Sequence, residues 1–205
     1  VHMPAHIYVR VGQYNKAIDS NMRSVKVDAE FLQIWGDLPF PNIGTYPLSA
    51  KIHPPHAIDF IKYAATVQGN YKVAMNAARK MEALMDPNDV GAVRAQTGIA
   101  GPWLVNKIFG KWDELLDTKP AVTGTPYLDG IWSYSIGSTY VARGLLSKAR
   151  QELDNIKSIL SLENVDQYRV GANPVSVVLK LAELALTGEI YEAEGDLESA
   201  IETYS

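Results

Sequence analysis

Ile136-Gly137-Ser138-Thr139-Tyr140-Val141-Ala142-Arg143-Gly144-Leu145-Leu146-Ser147-Lys148-Ala149 is the stretch whose reading decides the fold. Gly144 interrupts a run that otherwise forms helix, because a residue without Cβ can close a helix in a left-handed turn. A large apolar residue two places later packs into that turn. Ala149, five places later, is small enough to let the helices on either side approach closely. The same order recurs at Gly12-Gln13-Tyr14-Asn15-Lys16-Ala17, Gly69-Asn70-Tyr71-Lys72-Val73-Ala74, Gly110-Lys111-Trp112-Asp113-Glu114-Leu115 and Gly195-Asp196-Leu197-Glu198-Ser199-Ala200. A tyrosine stands four residues before the glycine at Tyr8, Tyr140 and Tyr191. The third copy diverges most, with Asn106 at that position and Leu115 in place of alanine. Helical periodicity flanks the glycines: Ile7, Val11, Tyr14, Ala17 and Ile18 form one predicted stripe, and Ile58, Ile61, Ala65, Val73, Ala77 and Met81 another. The pattern predicts an all-α chain of about five helical hairpins.

Composition bounds what such a chain does. The sequence has 205 residues, 47% hydrophobic and 20% charged, with a formal net charge of −4. This is ordinary for a globular domain, and no run reaches the eighteen or so apolar residues of a membrane-spanning helix. Scattered Lys and Arg on a net negative chain leave no electrostatic footprint for nucleic acid. The absence of Cys excludes disulfides, cysteine nucleophiles and thiolate metal sites. The chain starts at Val1 and stops in a helix-like stretch at Ser205, so the expectation is a fragment of a longer chain. Both cytoplasmic and periplasmic locations are left open.

On these residues the units resemble tetratricopeptide repeats. The fourth is the closest, reading Ile136-Gly137-x-x-Tyr140-x-x-x-Gly144-x-x-x-x-Ala149-x-x-x-Leu153, and the second adds Pro87 after its second helix. The opening stretch and His56-Ala57-Ile58-Asp59-Phe60 are further similar to a group of bacterial tetratricopeptide proteins of unassigned function. The resemblance covers most of the chain. It implies a single repeat domain over 1–205, a right-handed superhelix of stacked antiparallel helix pairs (an α-solenoid) that binds protein or peptide partners along its concave groove. Only Gly110 to Gly144 shows the 34-residue family spacing; the remaining intervals are longer, so irregular insertions are expected. The larger, about residues 29–55, is rich in proline and carries Phe31, Trp35, Phe40 and Tyr46; it is expected to pack as a wall or lid. A second, about 161–174, has room for a short helix.

The resemblance also implies that groove-lining side chains fall at set distances before each glycine. Counting back places His2, His6 and Arg10 there, with His56, Asp59 and Tyr63 from the second unit. The third contributes Thr97, Ala100, Leu104 and Lys107, the fourth Ile131, Tyr134, Ser138 and Val141, and the fifth Ala182, Ala185, Glu189 and Glu192, so the middle of the groove is expected to be apolar and tyrosine-lined. A polar pocket of His2, His6, Arg10, His56, Asp59 and Tyr63 is therefore expected at the N-terminal end. Three readings of it are open. The histidines satisfy hydrogen bonds of packed helices; or the pocket recognises a peptide terminus or small acidic ligand through Arg10 and the imidazoles; or His2, His6, His56 and Asp59 hold a metal ion. Pro4 weighs against the last, because it puts His2 ahead of the helix and spoils the i, i+4 pairing with His6. No cofactor is called for.

Other candidates read as scaffold. Asp86-Pro87-Asn88-Asp89 lacks the ligand spacing of a calcium loop and reads as a helix stop. Gly98-Ile99-Ala100-Gly101-Pro102 lacks the lysine of a phosphate loop and reads as a break before a helix. Asp113-Glu114, Glu192 and Glu194 read as solvated faces, and Ser133 and Ser135 have no base or nucleophile elbow nearby. No catalytic constellation emerges, so binding is expected, the alternative being a metal-dependent or small-ligand enzyme using the His/Asp/Arg pocket. Uncapped terminal hairpins leave homodimerisation open.

Overall fold

All five glycines close a helix in the left-handed conformation, with φ of 73° at Gly12, 79° at Gly69, 63° at Gly110, 70° at Gly144 and 81° at Gly195. In each turn the N–H after the glycine donates to the carbonyl four residues before it: Gln13 to Tyr8, Asn70 to Ala65, Lys111 to Asn106 and Leu145 to Tyr140 at 2.8 Å, and Asp196 to Tyr191 at 3.0 Å. This is one C-capping geometry used five times, the divergent third copy included. A side chain at the glycine position would force a left-handed backbone on a residue with Cβ.

The computed structural model describes residues 1–35, 53–86, 93–120 and 124–205. Its backbone divides into two compact units, Val1–Leu84 and Met85–Ser205. In the first, α1 (Pro4–Arg10) pairs with α2 (Tyr14–Trp35), and α3 (His53–Val67) with α4 (Tyr71–Ala83); α2 also packs along α3. In the second, α5 (Val93–Ile108) is followed by α6 (Trp112–Leu116), α7 (Pro126–Ala142) by α8 (Leu146–Leu160), and α9 (Val175–Glu194) by α10 (Leu197–Tyr204). Helix α7 packs against both α5 and α9. Between α8 and α9 the chain makes a 3₁₀ turn, Val165–Gln167, and a small antiparallel pair, β1 (Arg169–Val170) with β2 (Asn173–Pro174). That is what fills the expected second insertion. No helix among the described residues is long and apolar enough to cross a membrane.

The small or apolar residue five places after each glycine is buried as its role requires: Ala17, Ala74, Leu115 and Ala149 are 0% exposed and Ala200 is 2%. The core of the second unit gathers Trp103, Leu115, Leu128, Ile131, Leu153, Ile156, Leu179, Leu186 and Ile190. Each fully buried Leu or Ile here contributes about 1.5–3 kcal/mol through its removal from water. Helix α7 comes close to α9 because it carries glycine where the two touch. A Cβ on Gly130 would run into Leu179, and one on Gly137 would lie 2.7 Å from Leu186 Cδ2.

The structure corrects several expectations. Ile7 and Val11 are 61% and 60% exposed, so the buried stripe of the first hairpin is Ala5, Ala17 and Ile18 instead. Ala100, Ile131 and Ala182, expected on a groove, are buried in packing. No break precedes Pro102: α5 runs through it. Burial of Ile99, Ala100 and Trp103 on this helix outweighs the backbone bond that the proline removes. The expected insertion at 29–55 is helical at its ends, since α2 continues to Trp35 and α3 starts at His53. The expected wall or lid at 36–52 and the turn after Asp86 lie outside the described residues.

Candidate functional site

In the first unit the turn before α1 brings His2 over α2, and a serine fastens it: Ser20 Oγ donates to the Val1 carbonyl at 2.5 Å. Pro4 occupies the first turn of α1, and His2 does precede the helix. The inferred consequence does not follow, however. Met3 already has helical angles, and His2 Nε2 lies 3.0 Å from His6 Nε2. From α3, His56 completes the group; one ligand nitrogen from each of the three imidazoles lies within 4.8 Å of the others. His2 and His6 are half-buried and His56 is exposed. Phe60, one turn along α3 from His56, walls the group with ring centroids 4.5 Å from His6 and 5.2 Å from His2.

Asn21 fixes the proton on His2. The amide is wholly buried on α2, and its Nδ2 donates to the Ala17 carbonyl at 2.8 Å. Its oxygen therefore faces His2 Nδ1, 2.6 Å away, and accepts the hydrogen carried there. In a neutral imidazole only one nitrogen bears hydrogen, so His2 Nε2 presents a lone pair toward His6. Asp59 does not join: its carboxylate pairs with Lys62 on the same helix at 2.5 Å. Arg10 and Tyr63 are both exposed, Tyr63 by 51%. The expected six-residue pocket is thus three histidines with a phenylalanine wall and a buried asparagine behind them.

In the second unit a different set of groups meets across the first helices of three hairpins. Lys107 Nζ on α5 donates to Tyr134 Oη on α7 at 2.6 Å and to Glu189 Oε1 on α9 at 2.8 Å, and lies 4.4 Å from the tyrosine ring centroid. Burial alone pulls the ammonium's pKa down, but the hydrogen bond and charge of Glu189, aided by Tyr134, leave it above the ordinary lysine value. Ser138, one turn along α7 from Tyr134, is 3% exposed, and its hydroxyl finds no partner among the described residues. It lines a recess of about 360 Å³ with Trp112, Val141, Glu189 and Glu192. Leu104 packs against the core of this unit rather than standing free. Tyr204 borders the same region, its hydroxyl pKa raised by burial and then by Glu192 and Glu189.

Asn21 and Tyr204 were not singled out by sequence, and Phe60 and Trp112 were noted only as parts of recurring or family-like motifs, not as site residues. For Asn21 a signal exists: it is a polar residue one turn after Ala17 and Ile18 on the buried stripe of α2. For the others no local mark pointed to a site, because that role comes from neighbours on other helices. Comparison with protein-family models, curated proteins and solved structures finds no match to this chain.

Proposed function

We propose that this chain is a peptide-binding module of tetratricopeptide type, a right-handed superhelix whose first helices present ligand groups on a concave surface. The observation that carries this is the row Lys107–Tyr134–Glu189, three residues from α5, α7 and α9 joined through one ammonium group. Side chains from successive hairpins converging on one face are what a repeat array supplies to a partner. The unpartnered Ser138 hydroxyl, the exposed Glu192 carboxylate and the half-buried Trp112 ring suit a peptide carrying a basic side chain. Glu192 offers it charge, Trp112 an aromatic face and Ser138 a hydrogen bond. Glu189, already bonded to Lys107, holds the wall.

The test is fluorescence anisotropy of peptide pools that differ only in basic, neutral or acidic side chains. Basic peptides are expected to bind best, and Glu192→Lys to weaken them by about 10–100-fold, the scale of one hydrogen bond to a charged group. Equal binding of all three pools, or an unaffected Glu192→Lys variant, contradicts the proposal.

A further inference from the structure

We propose that His2, His6 and His56 form a three-imidazole site for a divalent transition-metal ion of the zinc, copper or nickel kind, with one coordination position open to solvent. It stands on the first unit alone and does not depend on the peptide surface of the second.

Four observations support it. Three of the chain's four histidines meet at one place, although His56 comes from a part of the sequence far from His2 and His6. The nitrogens are close to bonding geometry: a tetrahedral ion with bonds of about 2.0–2.1 Å needs its ligands roughly 3.3 Å apart, and His2 Nε2 and His6 Nε2 lie 3.0 Å apart. The His56 ligand nitrogen lies within 4.8 Å of those of His2 and His6. Asn21 supplies the outer contact that metal-bound imidazoles use, accepting from Nδ1 so that Nε2 points its lone pair into the site. Phe60 shields one side, while the exposure of His56 leaves an entry path.

The donor set also defines the ion. With no thiolate in the chain and Asp59 committed to Lys62, the ligands are imidazoles, which favour zinc, copper and nickel over magnesium and calcium. Three nitrogens leave a fourth position for water or a ligand atom. Binding would tie the segment before α1 to α3 and stabilise the first unit against unfolding. Asn21 acts here as a positioning residue, through His2.

The experiment is calorimetric titration of untagged, chelator-treated protein with zinc chloride, with magnesium and calcium chloride as controls. One zinc per chain is expected, with no uptake of magnesium or calcium. His6→Gln and His56→Gln are each expected to weaken binding by at least about 100-fold. Asn21→Leu is expected to cost about 10–100-fold and Asn21→Asp to restore binding, with helical circular dichroism confirming that each variant folds. Zinc affinity no better than that of a His2→Gln/His6→Gln/His56→Gln variant overturns the proposal. So does tight binding of magnesium.

Discussion

At the scale of single residues, the turn glycines and the helix-contact glycines differ in how plainly they announce themselves. Gly12, Gly69, Gly110, Gly144 and Gly195 stand in a recurring local pattern, and all five have positive φ. Gly130 and Gly137 lie inside α7, where helix propensity alone would favour alanine by about 1 kcal/mol. Their reason is tertiary: Leu179 and Leu186 of α9 occupy the space a Cβ would need. Gly130→Ala is therefore expected to destabilise the second unit by about 1–3 kcal/mol, since overpacking outweighs the propensity gain. Urea unfolding followed by circular dichroism measures it, and a stabilised variant would show that α9 yields at no cost. Pro102 makes the opposite point. A local rule predicts a break there, and the buried residues on either side keep α5 whole.

Among elements, what the sequence conveyed was the alternation of helices and the positions of their turns, because both are set by residues within a few places of each other. Which side chains would meet across helices was only partly legible. Counting back from the glycines placed His2, His6 and His56 together in one expected pocket; it put Lys107, Tyr134 and Glu189 at groove positions but read the middle of the groove as apolar, where an ammonium joins a phenol and a carboxylate. The same count put Asp59 in the pocket, although a lysine three residues along its own helix engages it. It gave no hint of Asn21, whose effect is exerted through His2. The Lys107 contact leads to a prediction about pH. Its folded pKa is raised above the ordinary lysine value, so the contribution of the pair is complete below about 10.5 and is lost as pH rises through the folded value. Wild-type protein and Glu189→Gln should therefore differ in melting temperature by a constant amount through neutral pH, and the gap should close in the alkaline range. A gap that persisted undiminished far above pH 11 would mean that Glu189 acts by packing rather than by charge.

For the whole molecule, the residues that converge come from first helices, or from the turn leading into one, in both units. In the first unit the groups are imidazoles backed by a buried amide; in the second they are an ammonium, a phenol and carboxylates around an unpartnered hydroxyl. The central claim is that residues brought together in this way form ligand sites, and the histidine group states it most sharply because a metal ion can be located directly. The most direct measurement is X-ray diffraction from crystals of zinc-loaded protein, with anomalous data collected on both sides of the zinc absorption edge. The account predicts one anomalous peak within about 2.0–2.1 Å of nitrogen atoms from His2, His6 and His56, with Asn21 still accepting from His2 Nδ1. Crystals that show the three imidazoles bonded only to one another and to protein groups, with no zinc between them, would contradict it.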